Sequence, residues 1–127
     1  MEKMLIIPEG TNVQEMVIAP GVQAGDLIFL SGTVGVDRTT GRLVGKDIES
    51  QARQALENLG LVLEAAGSSW DKVVKVTCFL VHARRDFAGW NTVWKSFFPQ
   101  NPPARTTVGA DIAMEGALVE VELIAIR

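Results

Sequence analysis

The sequence predicts an α+β fold: a single sheet with two helices packed on one face. Three observations carry that prediction. Stretches 48–66 and 87–98 repeat apolar residues at helical spacing. Stretches 27–34, 73–81 and 118–126 are rich in aliphatic and β-branched residues with the twofold alternation of strands. The order along the chain is strands, helix, strand, helix, strands, which suits an α+β layer. The 127 residues fit one domain, 1–127, able to bury its own core.

Met4 to Ile7 reads as a short edge strand closed by Pro8-Glu9-Gly10, and residues 12–18 as a second strand ending in a turn at Ala19-Pro20-Gly21. In Leu27–Val34, extended backbone puts Ile28, Leu30, Gly32 and Val34 on one face. Glycine is costly inside a strand, so Gly32 marks a bulge or a close backbone contact. Asp37–Arg42 is a polar turn from which 42–44 returns as a short strand. In the first helix Ile48, Ala52, Ala55, Leu56, Leu59, Val62, Leu63 and Ala66 form one stripe, with Asp47 as N-cap and Gly67 as the stop. Glu49, Arg53 and Glu57 lie four apart on its polar side. In 73–81, Val74, Val76, Cys78 and Leu80 oppose Val73, Lys75, Thr77, Phe79 and Val81. Asp86 then caps a helix with the stripe Phe87, Trp90, Trp94, Phe97 and Phe98, ended by Pro99. In the last strand Val119, Val121, Leu123 and Ala125 suit the helix side. The opposite face mixes Glu120 and Glu122 with Leu118, Ile124 and Ile126. A face that apolar and uncovered by its own chain predicts a homo-oligomer with Glu120 near a subunit boundary.

Composition narrows the function. Apolar residues at 47% and charged residues at 21% are ordinary for a soluble globular protein. A net charge of −3 argues against a nucleic-acid-binding surface. There is no run of 18 apolar residues to cross a membrane, and Pro8 interrupts the apolar start too early for a secretory signal. One cysteine allows no intrachain disulfide, as expected of a cytosolic protein.

The chemistry concentrates in Pro102–Asp111 and the strand after it. Two prolines stiffen the approach to Arg105, and Glu120 lies inside an apolar strand. A guanidinium binds a carboxylate bidentately and a glutamate moves protons to and from water, so the pair suits a small carboxylate-bearing substrate. Plainer readings stay open. Arg105 can be a surface charge or half of a structural ion pair, and Glu120 or Glu122 can pair across the sheet, Glu122 being the better candidate for that. Cys78 suits the core. His82 stands alone without metal-ligand spacing. Trp90, Trp94 and the helix phenylalanines suit core or interface. The glycines form no phosphate loop, and no Gly-x-Ser-x-Gly elbow occurs.

Gly25–Gly32, Gln51–Asn58, Pro103-Ala104-Arg105 and Val119–Ala125 together resemble the RidA (YjgF) family over nearly the whole chain. The resemblance implies a chorismate-mutase-like fold assembled as a trimer with interfacial sites. It further implies hydrolysis of 2-imino acids or their enamine tautomers to 2-oxo acids and ammonia, with no cofactor and no metal. By the same resemblance Arg105 clamps the substrate carboxylate, and Glu120 positions and deprotonates the attacking water. Backbone groups at Thr107 meet the imine nitrogen or that water. Ser31, Gly32 and Asn91 match further pocket positions. Two positions depart from the pattern. Thr107 stands where many members have cysteine, and its hydroxyl could add a hydrogen bond. Ile18 stands where many have tyrosine, which bears on substrate identity, leaving open a larger substrate such as an aminomuconate. The rival functions are a single-stranded RNA endonuclease or translation inhibitor, and a non-catalytic acid-binding or chaperone-like trimer. The acidic charge weighs against the RNA reading.

Overall fold

Asp47, in an extended conformation, accepts the Ser50 N–H on its carboxylate at 2.9 Å and so opens helix α1 (Ile48–Ala65). At the other end Gly67 takes φ +75°, and the N–H groups of Gly67 and Ser68 return to the carbonyls of Glu64 and Leu63. That closure needs the left-handed backbone that glycine supplies cheaply. Both ends agree with the sequence reading. The computed structural model describes all 127 residues.

The sheet has six strands: β1 (Lys3–Ile6), β2 (Gly21–Ala24), β3 (Leu27–Val34), β4 (Val73–Leu80), β5 (Ala104–Gly109) and β6 (Val119–Ile126). Their spatial order is β1-β2-β3-β6-β4-β5. All neighbours are antiparallel except β4 and β5, which run parallel and are connected by α2 (Ala83–Phe97). Residues paired directly across strands share a face. Val76, Cys78 and Leu80 of β4 face Leu123, Val121 and Val119 of β6, all buried under the helices. Leu56, Leu59, Leu63, Trp90 and Val93 complete this core. The other face carries Leu5, Val22, Leu27, Phe29, Phe79, Ile124 and Ile126, and nothing in the chain covers it.

Several local expectations are corrected. Residues 13–15 form one 3-10 turn capped by Asn12, and the second strand begins at Gly21, where a turn was expected. The pairing of β4 with β6 slips between Val73 and Lys75, so Val73 is buried and Val74 exposed, the reverse of strict alternation. Residues 42–44 contribute one isolated bridge, Val36 to Leu43. His82 occupies the N-cap position of α2, without a side-chain bond. Asp86 lies in the first turn, buried and paired to Arg85 at 3.0 Å, the one ion pair in the chain. Glu49, Arg53 and Glu57 therefore form no ion pair; Arg53 reaches the Ser96 hydroxyl on α2 instead.

Two buried amides tie the loops to α1. Gln51 donates to the carbonyls of Gly45 and Gly116 and accepts the Leu118 N–H at 2.7 Å, so its side chain is fully used. Asn58 donates to the carbonyls of Val34 and Val36 and accepts from Gln54. Those bonds hold the end of β3 and the entry to β6 in place, and with them the candidate site.

Candidate functional site

Between Leu30 and Thr33 the pairing of β3 with β6 shifts by one residue, placing Ser31 and Gly32 together opposite Glu122. This bulge moves Val34 to the face of Glu120, its direct partner, and away from that of Ile28 and Leu30. It also clears space over residue 32. A Cβ there would meet Glu120 Oε2 at 2.6 Å, so the carboxylate lies against bare glycine backbone. Glu120 is half-buried, with Phe79 on its other side, whereas Glu122 is exposed. No cation pairs with either one. Ser31 anchors the adjoining loop: its hydroxyl donates to the Ala19 carbonyl at 2.6 Å and its N–H to the Pro20 carbonyl at 3.0 Å. The loop thereby presents Ile18, which is 69% exposed.

Arg105 occupies the other face. Its register partner is Val76 and that of Thr107 is Cys78, so both side chains point to the helix side of the edge strand β5. The guanidinium carbon lies 4.8 Å from the Trp94 ring centroid and 5.5 Å from that of Phe87. No carboxylate pairs with it. Asn91 lies four residues after Phe87 and three before Trp94, which places it on the same stripe of α2. Behind Arg105, burial pushes the Cys78 thiol up to about 11, against weaker opposing effects of Thr107, Arg105, Lys75 and Trp90. The Thr107 hydroxyl and the Trp90 indole N–H are buried there, neither completing a hydrogen bond.

The expected residues thus form two groups. Arg105, Thr107 and Asn91 belong to the helix-side margin of β5 and α2; Glu120, Gly32 and Ser31, with the Ile18 loop, belong to the β3–β6 bulge. Within one chain the sheet separates the cation from the carboxylate. None of the three surface concavities, of about 450, 400 and 210 Å³, includes Arg105 or Glu120. No group of three or more His, Cys, Asp or Glu side chains gathers to hold a metal. No helix is long and apolar enough to cross a membrane. The sequence reading missed the aromatic surroundings of Arg105. Its signal was the spacing 87, 91, 94, where a polar asparagine interrupts an otherwise aromatic stripe.

The family model described as Endoribonuclease L-PSP matches residues 16–127. The chain belongs to this family, the RidA/YjgF group. A mouse relative named 2-iminobutanoate/2-iminopropanoate deaminase is 39% identical over 106 residues, covering 84% of this chain and 78% of the relative. The Escherichia coli YjgF crystal structure superposes with a TM-score of 0.87 at 32% identity, covering 98% of both chains. E. coli TdcF with bound serine superposes at 0.80 with 34% identity, covering 87% of each. These matches to RidA/YjgF proteins agree with the family resemblance and with the six-stranded sheet and two helices.

Proposed function

We propose that this protein hydrolyses reactive 2-imino acids of the 2-iminopropanoate and 2-iminobutanoate type to 2-oxo acids and ammonia. The observation that carries this reading is Arg105: a cation with no ion-pair partner, set on two aromatic rings at a sheet edge. Such a group is built to receive a planar anion. The mouse relative's name and the serine held by TdcF support a small carboxylate-bearing substrate.

The site is completed by assembly. The uncovered face of one copy receives the β5 edge of the next in a homotrimer, bringing Arg105, Thr107 and Asn91 to Glu120, Gly32, Ser31 and Ile18 of its neighbour. Arg105 clamps the carboxylate by two parallel hydrogen bonds. Glu120 takes a proton from a water as its oxygen attacks the C=N carbon and passes that proton to the nitrogen, giving a carbinolamine. Glu120 then takes the carbinolamine hydroxyl proton and delivers it to the nitrogen as the C–N bond breaks, leaving the 2-oxo acid and ammonia. Acid–base assistance of this kind contributes about 10²–10⁴-fold. Backbone groups at Thr107 face the nitrogen or the water, and Ile18 faces the substrate side chain. The reaction needs no cofactor, and the single cysteine suits the reducing cytosol as its compartment.

A dehydratase that releases 2-iminopropanoate, coupled to detection of pyruvate, tests this reading. Faster pyruvate formation on adding the protein is expected, and an unchanged rate overturns it. Cleavage of single-stranded RNA with no effect on the imine would instead support the activity in the family's description, against which the acidic charge weighs.

A further inference from the structure

We infer that Phe87 and Trp94 position Arg105, holding its guanidinium ready for an anion without occupying its donors. The inference rests on the carboxylate-anchor reading of Arg105 given above and adds how that anchor is kept in place. A carboxylate that held such a long, flexible cation would fill the N–H donors that a substrate needs. Aromatic faces attract the same cation through the ring quadrupole and take no N–H donor. In this chain the second arrangement is present. Trp94 and Phe87 lie 4.8 and 5.5 Å from the guanidinium carbon, and the only ion pair is elsewhere, at Arg85 and Asp86.

The two rings differ in how they are themselves held. Trp94 is 7% exposed and packs on Trp90 and Phe98, with centroids at 5.8 and 4.4 Å. It is the rigid member. Phe87 is 44% exposed, so it is the ring that can be removed without opening the core. The parallel pairing of β4 with β5, and the connection of the two strands through α2, fix the strand beneath these rings. Phe87 and Trp94 are positioning residues, acting on substrate through Arg105.

The test is calorimetric binding of pyruvate, as a 2-oxo acid probe, to the full assembled protein, with steady-state kinetics on the imine alongside. Phe87→Leu and Trp94→Leu are each expected to weaken binding and raise KM by about 2- to 30-fold, the range of a cation–π contact. kcat should change much less, and Trp94→Phe should recover most of the loss. Removal of a merely structural ring would lower thermal stability without this split or this rescue. Where Trp94→Leu does not fold, Phe87→Leu decides, because its site is exposed. Wild-type pyruvate affinity in folded Phe87→Leu and Trp94→Leu, with binding lost in Arg105→Ala, overturns the positioning role alone. Wild-type affinity in Arg105→Ala overturns the anchor itself.

Discussion

The carboxylate of Glu120 lies on the backbone of Gly32, so close that a Cβ at position 32 would stand 2.6 Å from Oε2. The contact exists because a one-residue bulge turns Gly32 toward β6. Gly32 does not occupy the left-handed region, so alanine is compatible with its backbone. The atom in its way is the end of a flexible side chain, which can swing aside cheaply. Gly32→Ala should therefore fold with a melting temperature within a few degrees of wild type. A displacement of about 1 Å at a reacting group can cost about 10²-fold, so kcat for imine hydrolysis should fall by at least about tenfold. Full kcat in Gly32→Ala would show that the placement of Glu120 is immaterial.

Glu120→Gln keeps the shape of the side chain and removes the base. The expected loss is about 10²–10⁴-fold in kcat/KM with pyruvate binding nearly unchanged. Exposed and unpaired, Glu122 serves as the control, and Glu122→Gln should stay near wild type in the same assay.

Much of this was legible in the sequence because local chemistry set it. The Asp47 cap, the Gly67 stop and the α1 stripe are local signals, and each survives in the structure. Gly32 was legible as a bulge or a close backbone contact because glycine inside a strand has few other uses, and it is both. The slip at Val74 was not, since it depends on how β4 meets β6, two segments far apart in sequence. Strand β2 was hidden by its Pro-Gly start, which reads as a turn until β1 and β3 pair on either side of it. Arg105 stood out by the two prolines before it, and Glu120 as a charge inside an apolar strand. That they occupy opposite faces follows from the parallel register of β5, which periodicity within β5 does not encode.

The uncovered face makes the assembly testable. Phe29 lies there, 39% exposed, opposite Val22 and Ile124 on the adjoining strands. A charge at this position must be desolvated on association, at a cost of several kcal/mol if left unpaired. Phe29→Glu should convert the proposed trimer to monomer in light scattering and abolish imine hydrolysis, while the monomer keeps its circular dichroism. An active monomer would contradict an interfacial site.

Cys78 gives a prediction in pH. Burial raises its thiol from 9.0 to about 11 in the folded chain, so between these values the folded state holds a proton that the unfolded chain has released. The group's contribution is complete below about pH 9 and is lost as pH rises toward 11. The slope is about 1.4 kcal/mol per pH unit. Cys78→Ser keeps nearly the same volume and does not titrate in this range. Its constant cost shifts stability equally at every pH, and the lysines and arginines titrate alike in both proteins. The stability difference between wild type and Cys78→Ser, measured by urea unfolding, should therefore be steady from pH 7 to 8.5 and move steadily in favour of the variant from pH 9 to 10.5. Parallel curves across that range would mean that the thiolate is accommodated beside Thr107 and Arg105 in the folded protein.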